Sequence, residues 1–377
     1  MYENPPSAAA SAPPEAAKRN HEFKFTGDAA EYFGIWIVNL FLSIITLGIY
    51  SAWAKVRKKR YFYGHTWVAE SNFEYHGNPV AILKGRIIAF AALVIYLGSG
   101  YYSQQLALGI LLVLSLLAPW LIARSMAFNA INSSYRQIRF HFKASYQDVF
   151  MAIWPLILFV CVLYFMPQFK PEQTRMPSAQ EWATLFLPTV IAMLAYPYVV
   201  GSIKRLHISH SAYGAAPLTF SAGIGQFYKL YLAALGIAIV GILALALAIF
   251  VLAMIPVVGW LAIPFAYIFF GALLMGYLRA RVTNLTFNST ALDGHVALAS
   301  TMSPMRLSKI YFVNLLVIVF TLGLMIPWAA VRVARYRAEV LALESATDLE
   351  AFLAQAGREV GATGEEMGEF FDVDLSL

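Results

Sequence analysis

The stretch from Trp36 to Tyr61, WIVNLFLSIITLGIYSAWAKVRKKRY, joins an apolar run to a basic segment through Thr-Leu-Gly. The same landmarks return 275 positions later, between residues 311 and 336. The matched residues are Asn39 and Asn314, Thr46-Leu47-Gly48 and Thr321-Leu322-Gly323, Trp53 and Trp328, Arg57 and Arg332, and Arg60 and Arg335. Shared hydrophobicity alone does not align so many polar and aromatic residues without a gap. We therefore interpret the two stretches as copies of one membrane element that frames the chain.

The composition places the whole chain in a membrane. Of its 377 residues, 60% are hydrophobic and only 13% are charged, whereas soluble domains carry roughly 25% charged residues. A spanning helix needs about 20 apolar residues, and the sequence predicts an all-α, multi-pass protein with six to eight membrane helices. The candidate spans are 33–54, 86–103, 106–123, 150–168, 182–203, 230–252, 257–278 and 310–331.

The loops between the six central spans alternate between basic and non-basic. The links at Gly98–Gln105 and Pro256–Gly259 are short and uncharged, and the link from Gln168 to Glu181 has mixed charge. The other loops carry most of the lysine and arginine. Because such residues are retained in the cytoplasm, the sequence predicts three helical hairpins that each enter and leave from the cytoplasm.

The two framing stretches, 33–54 and 310–331, conflict with this rule if each crosses the membrane once. Both chain ends would then lie outside and would export Arg332, Arg335 and Arg337. One interpretation is a re-entrant hairpin that dips into the membrane and returns to the cytoplasm. The alternative is one ordinary crossing each, with the rule violated at one end, because the rule is statistical.

The Thr-Leu-Gly motifs fit the turn of such a re-entrant hairpin. Gly48 and Gly323 can supply the unusual backbone conformation of a turn, and Pro327 weakens helix continuity in the second copy. Each arm would hold about ten residues, enough for roughly half of the hydrocarbon core. Backbone exposed at that depth is tolerated only when protein surrounds it.

A second repeat lies in the basic loops. A polar residue and a Ser or Thr are followed by two positions spaced as in a strand with one buried face. The four copies are His65-Thr66 with Phe73 and Tyr75, Asn132-Ser133 with Phe140 and Phe142, His210-Ser211 with Leu218 and Phe220, and Ser289-Thr290 with Ala297 and Ala299. We expect these strand-like cytoplasmic segments to pair into a small sheet or cap.

The two ends of the chain differ from the middle. Residues 1–22 are rich in Pro and Ala and predict a disordered tail, residues 23–341 form one membrane domain with internal repeats, and residues 342–377 form an acidic cytoplasmic tail. That tail has nine acids and one base, a net charge of −8 against +14 for the remainder. We expect its segment Glu366–Leu377 to lie on the basic cytoplasmic face.

Few polar groups lie within the apolar spans. The central parts of the spans contain no Asp, Glu, Lys, Arg or His, which argues against a proton-coupled carrier. The candidate intramembrane site consists of Asn39, Thr46, Asn314 and Thr321. These residues either line a site where the two repeats meet or serve as hydrogen-bonding contacts between helices, and the second interpretation is the commoner use of such residues.

A basic rim follows the first Thr-Leu-Gly motif. It consists of Lys55, Arg57, Lys58, Lys59 and Arg60. The rim sets topology, binds anionic lipid headgroups at about 1 kcal/mol per surface charge, or docks the acidic tail. The bilayer is the predicted partner, with anionic lipids as candidate ligands, whereas nucleic acid and specific protein partners are not predicted.

The sequence predicts no enzyme, metal site or cofactor. The single cysteine, Cys161, lies in an apolar run, so one chain forms no disulfide. His207 and His210 are three residues apart, but no further ligand completes the three or four that zinc requires. His65 and His210 occupy the same position of the loop repeat, which favours a structural hydrogen-bonding role.

The motif Thr46-Leu47-Gly48-Ile49-Tyr50 with Trp53–Arg57, its second copy, and Phe371–Asp374 near the end resemble the YjgN-like family. The resemblance covers nearly everything from His21 onward. It implies a multi-pass protein of the bacterial inner membrane. The family is classed as a domain of unknown function, so the resemblance implies no reaction, substrate or catalytic residue.

Two hypotheses on function follow. One is a transporter-like or channel-like protein for a small or lipidic solute. The other is a non-transporting scaffold or anionic-lipid-interacting protein whose cytoplasmic cap binds a partner. A continuous polar cavity that reaches Asn39 and Asn314 would favour transport, and a solid bundle with a grooved cap would favour the scaffold.

Overall fold

The computed structural model describes residues 19–165 and 178–345, together with Leu349, Glu350 and Phe352. In these residues pairs of helices alternate with pairs of short strands. The helices are α1 (Ala29–Ile45), α2 (Ser51–Gly64), α3 (Pro79–Tyr102), α4 (Gln104–Ile131), α5 (Tyr146–Phe165), α6 (Ala179–Ser209), α7 (Ile224–Ala253), α8 (Pro256–Asn288), α9 (Pro304–Phe320) and α10 (Ile326–Glu339).

The strands form one antiparallel sheet. They are β1 (Arg19–Glu22), β2 (Lys24–Phe25), β3 (Thr66–Val68), β4 (Ser71–Tyr75), β5 (Ser133–Tyr135), β6 (Ile138–Phe142), β7 (Ser211–Tyr213), β8 (Ala216–Phe220), β9 (Thr290–Leu292), β10 (Val296–Ser300) and β11 (Leu341–Ser345). From β3 to β10, each strand pairs with the strand that precedes it in the chain and the strand that follows it.

The N-terminal segment closes this sheet into a barrel. β1 pairs with β11, in the register Arg19 to Ser345, and β2 pairs with β3, in the register Lys24 to Trp67. Between them the amide of Phe23 donates to the carbonyl of Leu341 at 3.2 Å. Because β1 and β2 are consecutive in the chain, one segment joins the two ends of the sheet.

The chain is mostly helical, as predicted, but the eleven-stranded sheet does not fit the predicted all-α class. The strands are only two to five residues long and lie in loops, so each is short beside the helices. The strands are stabilised by pairing between loops that are far apart in the sequence. A local sequence pattern does not predict that pairing. The predicted strand-like segments themselves are confirmed as β3 to β10.

The fold consists of five repeated units, each a helical hairpin followed by two strands. The fifth unit takes its second strand from the N-terminal segment. At the junction of helix and strand, the polar positions of the loop repeat bond carbonyls of the last helical turn and so cap the helix. Nδ1 of His65 lies 2.8 Å from the carbonyl of Tyr61, and Nδ1 of His210 lies 3.1 Å from that of Leu206.

The Ser and Thr of the loop repeat also bond carbonyls of the last helical turn. In four units the hydroxyl donates to the carbonyl four residues earlier, at 2.5–2.7 Å, from Thr66, Ser133, Ser211 and Thr290. These contacts confirm the structural role predicted for the paired histidines and explain why the loops repeat a polar pair.

The turns between paired strands determine which side chains face the barrel interior. Two of them have two residues with positive φ and no glycine, Ala69-Glu70 and Arg136-Gln137, as type I′ hairpin turns require. In the fourth unit three residues, 293–295, separate β9 from β10. This extra residue reverses the faces of β10, so Val296 is buried and Ala297 is exposed. The prediction that Ala297 and Ala299 form the buried face is wrong for this reason.

The barrel interior is filled by apolar side chains from every unit. Its members include Val68, Tyr135, Tyr213, Ala216, Val296 and Leu343. The buried hydroxyl of Tyr135 donates to the carbonyl of Val68 at 2.7 Å, and that of Tyr213 donates to the carbonyl of Tyr135 at 3.0 Å. Burial raises the pKa of both phenols, so the two tyrosines stay neutral donors.

Six of the helices, α3 to α8, are long and apolar enough to cross a membrane. They form three hairpins, as predicted. They also continue beyond the predicted spans at the barrel end; α4, for example, reaches Ile131. Much of their apolar surface is exposed in the isolated chain, as expected for a surface that lipid covers.

The framing stretches fold as two shorter hairpins, α1–α2 and α9–α10, with identical turns. Leu47 and Leu322 both have φ of 50°, followed by Gly48 at 91° and Gly323 at 90°. The hydroxyl of Thr46 donates to the carbonyl of Leu42 at 2.7 Å and accepts from the amide of Tyr50 at 2.9 Å.

Each short hairpin begins and ends at the barrel. The strands that flank α1–α2, β2 and β3, pair with each other, and so do β10 and β11, which flank α9–α10. Tyr61 near the end of α2 donates to the carbonyl of Asp28, the N-cap of α1, at 2.7 Å. Tyr336 makes the equivalent bond to Ser303 at 3.3 Å.

The boundaries of the membrane domain differ from the predicted 23–341. The strand Arg19–Glu22 lies in the predicted N-terminal tail, and the strand Leu341–Ser345 runs into the predicted acidic tail. Both belong to the barrel. Residues 1–18 lie outside the described part of the chain.

We expect Gly48→Ala and Gly34→Ala to change stability in opposite directions. No atom lies within 4 Å of an added Cβ at either position, so only backbone conformation differs. At Gly48, positive φ makes alanine cost about 1–2 kcal/mol, whereas Gly34 is inside α1, where alanine stabilises by about 0.5–1 kcal/mol. Thermal unfolding of the purified variants in one detergent measures both. If Gly48→Ala stabilises as much as Gly34→Ala, the left-handed turn is wrong.

Candidate functional site

The four residues of the predicted intramembrane site are used for packing and turns. Asn39 and Asn314 are buried at equivalent positions of α1 and α9, with 7% and 5% of their surface exposed. Thr46 and Thr321 each donate to a helix carbonyl and accept from a turn amide. The two threonine hydroxyls therefore hold the tips of the short hairpins.

The two asparagines differ in their partners. Nδ2 of Asn314 donates to the carbonyl of Ala329 at 3.3 Å, and its Oδ1 accepts from Arg332 at 3.2 Å. The Arg332 guanidinium also lies 5.2 Å from the ring centroid of Trp328. By contrast, the buried Oδ1 of Asn39 has no hydrogen-bond partner, and Arg57, the counterpart of Arg332, is exposed.

The basic rim divides into structural and free cations. Lys59 donates to Asn129 of the second unit and lies 4.4 Å from the ring centroid of Tyr75. Arg60 donates to the carbonyl of Tyr75 at 3.3 Å. These two hold the first β-hairpin on its helix. The other three rim residues, Lys55, Arg57 and Lys58, are exposed.

Other basic residues near the barrel tie consecutive units together. Arg205 donates to the carbonyl of Ala222 at 3.0 Å, just before α7. Arg335 donates to the carbonyl of Gly27 at 3.3 Å, just before α1. In the fourth unit Asn284 at the same position bonds the carbonyl of Met302 at 2.9 Å. Much of the positive charge near the barrel is thus structural.

A second group of cations was not singled out from the sequence. Lys204 on α6 interacts electrostatically with both Arg279 on α8 and Arg337 on α10, so three successive units bring their charges together. Lys204 lies six positions before His210, which follows α6. Arg279 lies ten positions before Ser289, which follows α8, and Arg337 lies three positions before Val340, which follows α10. These offsets place them on one helix face, and aligning the five units would have found them.

The C-terminal segment closes the far mouth of the barrel, where the strand turns lie. Leu349 is buried in the barrel core, and Phe352 packs beside it, with its ring 6.0 Å from that of His295. Glu350 accepts from Arg136, a turn residue, at 2.9 Å, and this bond raises the pKa of the guanidinium. The predicted docking segment, Glu366–Leu377, lies outside the described residues.

The histidines of the third unit make structural contacts. His210 bonds a helix carbonyl through Nδ1, and its Nε2 lies 3.5 Å from the Asp148 carboxylate. Within residues 19–165 and 178–345, no group of three or more His, Cys, Asp or Glu side chains is placed to hold a metal ion.

We expect Arg332→Ala to destabilise the protein far more than Arg57→Ala. The first change leaves the buried Oδ1 of Asn314 without a donor, which costs about 1–3 kcal/mol. The second removes an exposed side chain and changes stability by less than about 0.5 kcal/mol. Thermal unfolding of the two variants, which remove the same charge, gives the comparison. Equal effects would contradict the contact between Arg332 and Asn314.

Known proteins similar to this chain are inner-membrane proteins. It is 29% identical over 150 residues to inner membrane protein YjgN of Salmonella typhimurium, which covers 39% of this chain and 38% of that protein. It is 27% identical over 215 residues to YjgN of Escherichia coli O157:H7, covering 55% and 44%. The YjgN of Escherichia coli K12 is 29% identical over 147 residues, covering 38% and 35%.

Each match thus spans less than half of the relative. No solved structure matches the chain. The six long apolar helices and the relatives' names agree on location: this is a multi-pass protein of the inner membrane. Residues 20–370 match the family described as bacterial protein of unknown function (DUF898), and the chain therefore belongs to that family, as its resemblance to YjgN-like proteins predicted.

Proposed function

We propose that this protein is transporter-like and takes a lipidic solute laterally from the bilayer into the space between its helical hairpins. This proposal rests on the difference in length between the two framing hairpins and the three central hairpins. α1 and α9 have 17 residues each, about 25 Å at 1.5 Å per residue. α4 and α7 have 28 and 30 residues, about 42–45 Å.

The two short hairpins are neighbours in the ring. The first hairpin packs against α10 through Tyr32 of α1, Tyr61 of α2 and Val331 of α10, so the first and fifth units lie side by side. The ring of helices is therefore shorter on one side than on the other. Its low section consists of the two short hairpins, α1–α2 and α9–α10, and its high section consists of the three long hairpins. We infer that lipid enters from this side, beyond the tips of the short hairpins.

The surface of the short tips supports their insertion into hydrocarbon as re-entrant hairpins. Leu47 and Leu322 at the two turns are 95% and 94% exposed, and Ile44 and Phe320 beside them are 65% and 71% exposed. Water would disfavour this much apolar surface. Retention of the basic residues inside puts the barrel in the cytoplasm, and the tips then end within the membrane.

A second candidate function is a non-transporting scaffold with a cytoplasmic cap. The filled interior of the barrel favours it, because apolar side chains and Leu349 close the axis in the described residues. On this view the helices anchor the barrel, and the barrel binds a partner. Lateral lipid entry needs no path through the barrel, so the two candidates differ in whether lipid moves.

Cysteine labelling tests the re-entrant hairpins. In a Cys161→Ser background we expect Tyr101→Cys, at the end of α3, to react with a membrane-impermeant maleimide added to intact cells. Leu47→Cys is expected not to react, because surrounding hydrocarbon excludes water and suppresses the thiolate. The two side chains are equally exposed in the isolated chain, at 95%. Labelling of Leu47→Cys from outside would mean that the first hairpin crosses the membrane.

Lipid movement tests transport itself. In liposomes that contain the protein and a trace of fluorescent phospholipid, an impermeant reductant should bleach a larger fraction of the label than in protein-free liposomes. The increase reports label that reaches the outer leaflet. A water-soluble dye trapped inside serves as the control for leakage and should stay protected. Bleaching equal to that of protein-free liposomes would favour the scaffold.

A further inference from the structure

Lys204, Arg279 and Arg337 lie near the barrel ends of α6, α8 and α10, on equivalent faces of the three helices. Lys204 interacts electrostatically with Arg279 and Arg337, and all three charges have the same sign. In the described part of the chain, none of the three forms an ion pair or a hydrogen bond. Lys204 is half-buried, and the two arginines are solvent-accessible. Like charges held together without a counter-ion repel one another, and a bound anion would remove that repulsion.

The internal repeat adds a polar partner to this cluster. In the first two units, Lys59 donates to Asn129. Lys59 lies six residues before His65, which follows α2, and Asn129 lies three residues before Asn132, which follows α4. The equivalent pair in the third and fourth units is Lys204 and Thr286. Thr286 is also two helical turns beyond Arg279, on the same face of α8.

Thr286 has a buried hydroxyl with no protein partner. It is 8% exposed, and its Oγ1 forms no hydrogen bond. Leaving a buried polar group unpaired is unfavourable, and such groups are rare in native proteins. The repeat relationship therefore assigns Thr286 as the polar counterpart of Lys204 in this cluster.

We propose that Lys204, Arg279, Arg337 and Thr286 form a binding site for a phosphate-bearing anion, either a lipid headgroup or a small phosphate ester. Phosphate offers several acceptor oxygens and up to two negative charges, and Arg guanidinium binds it through paired hydrogen bonds. No acid of the described residues competes for the three cations. The site names a ligand class for the transport proposed above and rests on it for its role, while binding is measured separately.

The binding test compares two triple variants of the full-length protein in neutral detergent. The first is Lys204→Gln, Arg279→Gln, Arg337→Gln; the control is Lys55→Gln, Arg57→Gln, Lys58→Gln, which removes the same charge from the exposed rim. Calorimetric titration uses inorganic phosphate and short-chain phosphatidic acid, with short-chain phosphatidylcholine as the zwitterionic probe. We expect at least about tenfold weaker phosphate or phosphatidic acid binding in the first variant only.

The two ligand arms identify the source of the phosphate group. Binding of inorganic phosphate marks a free-anion site, and binding of phosphatidic acid alone marks a headgroup site. No binding of either ligand to the wild-type protein would overturn the proposal, and so would equal losses in the two triple variants. A folding defect is recognised separately, because removing mutual repulsion should leave unchanged or raise the unfolding temperature of the ligand-free first variant.

Thr286→Val gives a second, independent test. Valine matches threonine in size and removes a hydroxyl that is unpaired without ligand, so the ligand-free variant should be as stable as the wild type or more stable. Its affinity for the anion should nevertheless fall about five- to tenfold. Unchanged affinity would remove Thr286 from the site.

Transport and binding can fail separately. Anion binding without lipid movement would leave this site standing and remove transport. Lipid movement that the first triple variant does not slow would leave transport standing and remove the site from it.

Discussion

Backbone hydrogen bonds on both sides of residues 19–25 hold the architecture together. This segment pairs with β11 along β1 and with β3 along β2, and so joins the last unit to the first. Without it the sheet would have two free edges, and strand edges attract non-native pairing. Closure also fixes the neighbours of the short hairpins, since α1 can pack on α10 only in a ring. The low section of the helical wall therefore depends on a few main-chain contacts in the barrel.

Much of the membrane part was predictable because its signals are local. Six apolar runs became six long helices, and Thr46-Leu47-Gly48 marks a turn because glycine takes the left-handed backbone there. The barrel was only partly predictable. Alternation in the loops indicates strands, but main-chain pairing between distant loops leaves no trace in side-chain pattern. Arg19–Glu22 is polar and short, and it becomes a strand only because β11 offers it an edge.

The repeats separate structural polar groups from groups available for chemistry. His65 and Thr66 satisfy helix carbonyls, and Arg205 and Arg335 tie units together. Asn39 and Asn314 stand out in the sequence because they are polar and lie in apolar runs, and Asn314 bonds protein groups, as expected of a contact between helices. No local motif marks the cluster around Lys204, because its three members lie on different helices at different distances from the helix ends. Only an alignment of the five units places them on one helix face.

Closure by residues 19–25 has a consequence for biogenesis. Arg19 leaves the ribosome before its partner Ser345, which is made more than three hundred residues later. All six long helices must enter the bilayer in the interval, while the N-terminal strand waits with one edge unpaired. Contacts so distant in sequence form slowly. A chain interrupted before β11 would keep an open sheet edge exposed, and such edges attract non-native pairing.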